Sequence, residues 1–171
     1  HSANNMTETI AALTALANCD CVERKTALDE FYDKWCDDSL VIDKWLTVQT
    51  TSRLPDTITQ VKALTQHEAF DIKNPNKVRA VIGGFCHGNH AGFHAEDGRG
   101  YEFASDQVIA LDLINPQIAA RLARSFDRWR KFDLRRQRHA RTSLERIRAV
   151  EGLSKDTFEV ISNALAENNT G

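Results

Sequence analysis

The chain has 171 residues with a net charge of −2, and 42% of the residues are hydrophobic, which indicates a single globular domain over residues 1–171. No run of 18 apolar residues occurs, so the sequence predicts no membrane-spanning helix. No signal peptide is recognisable, and the start HSANNMTE leads us to expect a piece of a longer protein. The four cysteines include no CxxC pair, which favours reduced thiols and a cytoplasmic location.

Helical spacing of apolar residues and N-cap signals predict nine helices joined by short links. The first five are expected from residue 5 or 7 to 18, at 22–36, at 40–50, from Pro55 onward, and at 74–85. The third is apolar on nearly all sides, so we expect it to be buried between its neighbours. Gly83 and Gly84 are expected to allow another backbone to approach closely or to weaken the last turn of the fifth helix.

A glycine-rich loop is expected at residues 87–100, and four more helices after it. They are expected at 101–113, from Pro116 to a break at Phe132 and Asp133, at 134–150 and from Ser154 onward. Gly152 is expected to end the eighth helix. In the last helix Phe158, Ile161 and Leu165 are expected to face inward, and residues 167–171 to fray. No segment alternates as a strand would, so the prediction is an all-α fold of antiparallel helix pairs, either a bundle or an α-α superhelix.

Positive charge is concentrated in residues 121–148, which contain eleven basic and three acidic residues. This segment therefore carries +8, and the remainder of the chain carries −10. Nucleic-acid binding is one interpretation, but the arginines alternate with apolar positions, and Trp129 is the exception to a lack of exposed aromatic residues for base stacking. A solvated face or a counter-charge within the molecule is favoured.

Cys86, His87, His90 and His94 form the sharpest candidate for a metal site, because thiolate and imidazole groups suit zinc. Their spacing matches no standard zinc signature, and glycines between them indicate a loop. We therefore expect these side chains to form hydrogen bonds, and we assign no metal to this chain.

Catalytic motifs are missing from the sequence: HExxH, GxSxG and Walker A patterns do not occur. Glu96 and Asp97 beside His94 could form an acid/base pair, but a hydrogen-bond network that pins the loop is favoured. We therefore expect this chain alone not to be a catalyst.

Eight sequence blocks together resemble the C-terminal domain of the bacterial aminopeptidase N family of zinc metallopeptidases. In the first half they are NNMTE at residues 4–8, YDKW at 32–35, DKW at 43–45 and QH at 66–67. The others are NPNKVR at 74–79, FHAEDGRGYEF at 93–103, NPQIAARL at 115–122 and LSKDTFEVISNALA at 153–166. The resemblance covers nearly the whole chain in order and without evident gaps. It implies an armadillo/HEAT-like superhelix that closes over the active site of a larger enzyme and restricts the access of short peptides.

The resemblance also implies roles for individual residues. Gln117 and Arg121 would lie at the substrate pocket, and Arg79 would line the cavity, with interdomain salt bridges as the alternative. Both arginines are placed in the first or second turn of a predicted helix, where a cation opposes the helix dipole. This position suggests a purpose other than helix stability.

A second group of residues matches the family block and is expected to shape the loop before the sixth helix: His94, Glu96, Asp97, Gly98, Gly100 and Tyr101. Cys86, His87 and His90 do not match the family pattern, which weakens the metal interpretation further. Arg99 also departs from that pattern, so no role is assigned to it.

The sequence therefore predicts a non-catalytic domain of a cytoplasmic zinc aminopeptidase that removes N-terminal residues from peptides. Zinc would be bound elsewhere in the parent enzyme, and no cofactor is expected in this chain. The expected partners are the catalytic domains of the same polypeptide and short peptide substrates, with no membrane and no nucleic acid. The alternative is a free-standing helical-repeat module whose basic face binds an acidic protein or nucleic acid.

Overall fold

The computed structural model describes residues 5–166, and over this range the chain forms helices and turns with no strand. The all-α prediction is confirmed. The predicted frayed tail, residues 167–171, lies outside the described residues. Between residues 5 and 166 no helix is both long enough and apolar enough to cross a membrane.

The helical segments follow one another with short connections. The α-helices are Met6–Ala17 (α1), Val22–Trp35 (α2), Ser39–Thr50 (α3), Thr57–Leu64 (α4), Pro75–Val78 (α5), Gly84–Gly88 (α6), His90–Phe93 (α7), Arg99–Asp112 (α8), Pro116–Ala123 (α9), Leu134–Arg148 (α10) and Lys155–Leu165 (α11). A π-helical turn spans Arg79–Gly83, and 3-10 turns span Arg124–Phe126 and Trp129–Lys131. The chain divides into two compact units, residues 1–92 and residues 93–171.

The centre of the first unit is α3, which contacts α1, α2, α4 and the π-helical turn. As predicted, α3 is buried on most sides; its buried apolar residues are Val41, Ile42, Trp45, Leu46 and Val48. The indole Nε1 of Trp45 donates a hydrogen bond of 2.9 Å to the carbonyl oxygen of Leu28 in α2. The neighbouring helices therefore pack around α3 as the apolar centre of this unit.

Helix starts agree with the N-cap signals in the sequence at several places. The side chains of Asn5, Asn74, Asn115 and Ser154 each accept a backbone N–H from the first turn of the helix that follows. These caps satisfy amide groups that have no partner inside the helix. The prediction for Pro55 is wrong: it lies in a turn before α4, which begins two residues later.

The predicted fifth helix is not continuous, because the π-helical turn at Arg79–Gly83 interrupts it. Thr50 of α3 donates its hydroxyl to the carbonyl oxygen of Ala80 within this turn, at 3.1 Å. A Cβ atom on Gly84 would lie 2.5 Å from the Thr50 hydroxyl oxygen. Gly84 therefore makes room for a side chain, whereas we expected close approach of another backbone or a weakened last turn.

The segment predicted as a loop at residues 87–100 is partly helical, since α6 ends at Gly88 and α7 follows at His90–Phe93. Buried Asn89 separates these two helices and donates its side-chain amide to the carbonyl oxygens of Thr50 and Ser52, at 3.2 and 2.7 Å. Its Oδ1 atom accepts the backbone N–H of Gly92. These long-range contacts stabilise short helices that glycine content alone argued against.

In the second unit α8 contacts α9 and α10, and α11 contacts the same two helices. Two predictions about this core are wrong. Trp129 is buried, and its Nε1 atom donates to the carbonyl oxygen of Ala164 at 2.9 Å, so it offers no face for base stacking. Phe158 is exposed, while Ile161 is buried and Leu165 is half-buried.

The ends of two helices also differ from the predictions. The seventh predicted helix was expected to reach Phe132, but its α-helical part ends at Ala123. Two 3-10 turns, Arg124–Phe126 and Trp129–Lys131, follow it. The eighth predicted helix, α10, ends at Arg148, so Gly152 lies beyond it in a turn, with φ of +78°.

Asp112, at the end of α8, fixes the start of α11. Its buried carboxylate accepts hydrogen bonds from the Ser154 backbone N–H at 2.8 Å and from the hydroxyls of Ser154 and Thr157, each at 2.5 Å. Burial raises the pKa of Asp112, but these donors outweigh burial and hold the pKa below its ordinary value. The charged form is therefore the form that the fold stabilises.

We expect Asp112→Asn to lower the free energy of unfolding by about 1.5–3 kcal/mol at pH 7, because hydrogen bonds to a charged acceptor are lost. A depressed folded-state pKa contributes stability that is present above the unfolded pKa, about 3.9, and disappears as the pH falls through the folded value. The difference between the wild type and the variant should therefore shrink below about pH 4. Urea unfolding across pH measures it.

Asp106→Asn is the matched control on the same helix, because Asp106 forms an exposed ion pair of 2.6 Å with Arg146. Such pairs contribute about 0–1 kcal/mol. Equal losses in the two variants, or a loss for Asp112→Asn that does not change with pH, would contradict the role given to Asp112.

Candidate functional site

An open groove in the second unit brings Gln117 and Arg121 together. They lie four residues apart on α9, so both side chains project from one face of this helix. The groove has a volume of about 680 Å³. Its other lining residues come from α9, α11 and the segment between α9 and α10: Ala120, Arg124, Asp127, Arg130, Asp156, Glu159, Val160, Asn163 and Ala164.

The charges of this groove are balanced, with three arginines and three carboxylates on its walls. Arg130 donates to the carbonyl oxygens of Ala164 and Leu165, at 2.6 and 3.0 Å, so it caps the C-terminal end of α11. Arg124 lies 4.0 Å from Asp127. Arg121 is exposed and forms no ion pair within residues 5–166, so its planar guanidinium remains available for a carboxylate or carbonyl.

The helix-dipole reasoning for Arg121 is wrong, because α9 is only eight residues long and Arg121 lies in its last turn. A cation is favourable there. Arg79 directly follows the four-residue helix α5, and its guanidinium donates to the Asn76 side-chain oxygen at 2.5 Å. The position of Arg121 in the last turn of α9 is therefore compatible with helix stability and does not by itself indicate another role.

Arg79 lines a groove of about 540 Å³ in the first unit. Ile10, Val48 and Ala80 provide apolar surface in this groove, and threonines of α1 and α3 provide hydroxyl groups. Asp43, also on its wall, forms a 2.7 Å ion pair with buried Lys77. The groove thus combines an apolar floor with one exposed guanidinium.

His94 and Tyr101 form a buried pair at the start of the second unit. The Nδ1 atom of His94 lies 2.8 Å from the Tyr101 hydroxyl oxygen, and the imidazole stacks on Phe132 with ring centres 3.9 Å apart. Arg136 donates its Nε–H to the carbonyl oxygen of His94 at 2.7 Å. Burial raises the pKa of Tyr101 to about 12, so its phenol stays protonated at neutral pH.

Glu96 and Asp97 pair with arginines. Asp97 accepts the backbone N–H of Arg99 at 3.0 Å and its Nε–H at 2.7 Å, and the backbone hydrogen bond is the largest cause of a lowered pKa at Asp97. Glu96 lies 3.3 Å from Arg135. A carboxylate with a lowered pKa is a poor proton acceptor at neutral pH, so the geometry gives no support to an acid/base pair.

The four metal candidates differ in exposure. Cys86 and His94 are buried, whereas His87 and His90 are exposed. Burial raises the pKa of the Cys86 thiol well above its ordinary value. Among residues 5–166 no three histidine, cysteine or acidic side chains are placed to hold a metal ion together.

Sequence reasoning missed the acidic wall opposite Gln117 and Arg121. Asp156, Glu159 and Asn163 line that wall, and their spacing of three and four residues places them on one face of α11. This polar stripe was visible in the sequence, but its position across from α9 depends on helix packing.

Gly98 and Gly100 are both buried at the start of α8. Gly98 has φ of +76°, in the left-handed region, and a Cβ atom there would lie 2.5 Å from the His139 ring. Backbone conformation and packing both require glycine at this position.

We expect Gly98→Ala to destabilise the protein more than Gly152→Ala. Both positions have the same left-handed backbone, which costs an alanine about 1–2 kcal/mol. A Cβ atom on Gly152 meets nothing within 4 Å, whereas one on Gly98 must displace His139. Overpacking adds about 1–3 kcal/mol, so the difference in unfolding free energy between the variants measures the clash. Equal losses would show that His139 does not constrain Gly98.

Comparisons with known proteins agree over nearly the whole chain. The family model described as "Domain of unknown function (DUF3458_C) ARM repeats" matches residues 1–166. Aminopeptidase N of Escherichia coli (strain K12) is 42% identical over 166 residues, which are 97% of this chain and 19% of that protein. Aminopeptidase N of Haemophilus influenzae is 41% identical over 165 residues, with coverage of 96% and 19%.

A solved structure gives the same result. The crystal structure of Legionella pneumophila aminopeptidase A in complex with aspartic acid matches with a TM-score of 0.89 at 38% identity, covering 95% of this chain and 19% of that one. This chain therefore spans about a fifth of the length of the relatives it matches. The resemblance seen in the sequence is confirmed, and the chain belongs to the DUF3458_C family of ARM-repeat domains, corresponding to the C-terminal part of bacterial aminopeptidase N.

Proposed function

We propose that this chain is the C-terminal helical domain of a larger cytoplasmic aminopeptidase that removes N-terminal residues from peptides. In this proposal the domain closes over the active site and restricts the access of substrates. The observation that carries the proposal is the 42% identity over 97% of the chain to a protein of which the chain covers only 19%. The catalytic domains of the same polypeptide are then its partners.

The chemical step belongs to the remainder of that polypeptide. Zinc bound there would supply a bound water as the nucleophile, with a glutamate as general base. This chain contains no HExxH motif, and its described residues bring no three metal ligands together. In this proposal the contribution of the chain is to position and select peptides.

Gln117 and Arg121 are the residues we assign to the substrate pocket. The carboxamide of Gln117 can donate to and accept from a peptide backbone, and the guanidinium of Arg121 can bind a carboxylate through two parallel hydrogen bonds. Support comes from their shared face of α9 and from the exposure of both side chains in the groove. Arg79 is assigned to the cavity lining on the basis of its exposed guanidinium.

The loop-shaping residues have a supporting role in this proposal. His94, Glu96, Asp97, Gly98, Gly100 and Tyr101 set the path of the chain into α8. The hydrogen bonds and ion pairs of His94, Glu96 and Asp97 support this assignment.

The alternative, a free-standing module with a basic face, receives less support. Arg135, Arg136 and Arg146 pair with Glu96, Asp133 and Asp106, so part of the positive charge is already compensated. Trp129, the aromatic residue that could have stacked on a base, is buried in the core. Nucleic-acid binding by this chain alone would show a steep dependence on salt concentration.

Hydrolysis of an alanyl chromogenic amide tests the proposal. The assay compares this chain, the separately expressed remainder of the enzyme, and a mixture of the two at matched concentrations. We expect no activity from the chain alone and a changed rate or substrate selectivity in the mixture. Activity of the chain alone that survives zinc chelation and controls for contaminants would overturn the proposal.

The pocket assignment is tested in the full-length enzyme with Gln117→Ala and Arg121→Ala. Loss of a charge-assisted hydrogen bond of about 1.5–3 kcal/mol predicts a fall in kcat/KM of about tenfold to a hundredfold for Arg121→Ala. A smaller fall is expected for Gln117→Ala. In this proposal the groove binds the part of a peptide beyond its N-terminal residue, so the effect should be larger on peptides than on a single-residue amide.

Arg128→Ala is the control, because Arg128 is exposed on the same unit but does not line the groove. Zinc content and melting temperature should be unchanged in all three variants. Equal kinetics for every substrate would remove Gln117 and Arg121 from the site. A loss of stability on heating in place of a kinetic change would assign Arg121 to an interdomain salt bridge.

A further inference from the structure

The proposed function leaves one wall of the groove in the second unit without a role. Gln117 and Arg121 line the α9 side of this groove. The α11 side carries Asp156 and Glu159, which lie three residues apart and therefore share one face of that helix. Because α9 and α11 contact each other within one compact unit, the two walls border the same open space.

The charged groups on these walls have no partners in the part of the chain that the structure describes. Arg121, Asp156 and Glu159 are exposed, and within residues 5–166 none of the three forms an ion pair of 4.0 Å or less or a side-chain hydrogen bond. By contrast, Arg130 in the same groove donates to the carbonyl oxygen of Ala164. Opposite charges thus face one groove without direct contact, and all three are accessible to a ligand.

Helix stability accounts for one of the two acids but not for the other. Asp156 lies in the first turn of α11, where the helix dipole favours a carboxylate. Glu159 lies one turn later, where this effect has fallen off. Glu159 is therefore the acid on this wall whose charge points most clearly to a ligand.

A ligand that bridges the two walls needs an acceptor for α9 and a cation for α11. Arg121 can bind a carboxylate or a carbonyl oxygen, and Gln117 can donate to and accept from a peptide backbone. Glu159 can accept hydrogen bonds from an ammonium or a guanidinium group. A ligand with negative charge alone would be attracted by one wall and repelled by the other, whereas a peptide with a basic side chain carries both groups.

We propose that Glu159, with Asp156 beside it, makes this groove select peptides that carry lysine or arginine in the second or third position. The basic side chain lies against α11, and Gln117 and Arg121 hold the peptide backbone or its C-terminal carboxylate. This selectivity rests on the proposed function, because it requires that the groove bind the part of a peptide beyond its N-terminal residue.

Hydrolysis of matched peptides by the full-length enzyme measures the selectivity. One pair is Ala-Lys-Ala and Ala-norleucine-Ala, and the other is Ala-Ala-Lys and Ala-Ala-norleucine. Norleucine has an unbranched side chain like that of lysine but lacks the ammonium group. All four peptides release alanine, so the preference of the enzyme for the first residue stays constant. The measured quantity is the ratio of kcat/KM for the lysine peptide to kcat/KM for the norleucine peptide at each position.

Two substitutions of Glu159 change its charge in steps. Glu159→Gln keeps the size of the side chain but removes the charge, and we expect it to lower the lysine-to-norleucine ratio by about two- to fivefold at one position or both. This range is that of an exposed ion pair. Glu159→Lys should lower the ratio below one at the same position, because the wall then repels the basic side chain.

Glu145→Gln is the control, because Glu145 is an exposed acid on α10 of the same unit and does not line the groove. Its ratios should equal those of the wild type, and melting temperatures check that every variant is folded. An equal fall of the ratio in Glu145→Gln and Glu159→Gln would overturn the proposal, because the effect would then come from the net charge of the domain.

Arg121→Ala separates a failure of this selectivity from a failure of the proposed function. If Arg121→Ala slows the hydrolysis of both peptides of a pair while Glu159→Gln leaves both ratios unchanged, the groove binds peptides without selecting basic ones, and only the selectivity is overturned. If neither variant changes the kinetics of any peptide, the groove is not a peptide site, and the pocket assignment is overturned together with the selectivity.

Discussion

The ends of short helices carry backbone groups without partners, and this fold depends on side chains that satisfy those groups. Some of these side chains are local caps, such as Asn74 and Asn115. Others reach across a unit: the hydroxyl of Ser52 donates to the carbonyl oxygen of Ala17 at 2.7 Å. The carboxylate of Asp112 accepts the backbone N–H of Ser154 at the start of α11. Buried polar residues therefore fix the positions of helices relative to one another within a unit, which non-directional apolar packing alone would not do.

Local signals made the helices predictable, and long-range contacts account for the errors. The asparagine and serine caps act within three residues, so the sequence placed those helix starts correctly. The π-helical turn is held by Thr50 from another helix, and Trp129 is buried by a contact 35 residues away. The spacing of apolar residues within one segment does not show which distant residue will contact it. In the same way, the family resemblance assigned Gln117 and Arg121 to one pocket, but it did not predict the acidic wall of α11 opposite them.

The arginine-rich segment has a structural use that net charge concealed. Arg130 donates to two carbonyl oxygens at the end of α11, and Arg136 donates to the carbonyl oxygen of His94. Long cationic side chains can reach the unpaired carbonyls of helix ends and are attracted by the helix dipole there. Some of the arginines that give residues 121–148 a charge of +8 therefore satisfy carbonyl oxygens at the ends of short helices. Arg121 differs because it lines a groove and has no such partner among the described residues.

The difference between buried Cys86 and the two exposed cysteines makes thiol reactivity a measure of how often the first unit opens. Cys19 and Cys36 are exposed, whereas Cys86 is buried with a raised pKa and has almost no thiolate at neutral pH. An alkylating reagent reaches the first two in the native state, but it reaches Cys86 only when the packing around α6 opens. The rate of the slow phase of thiol modification, at Cys86, therefore reports how often the packing of the first unit opens.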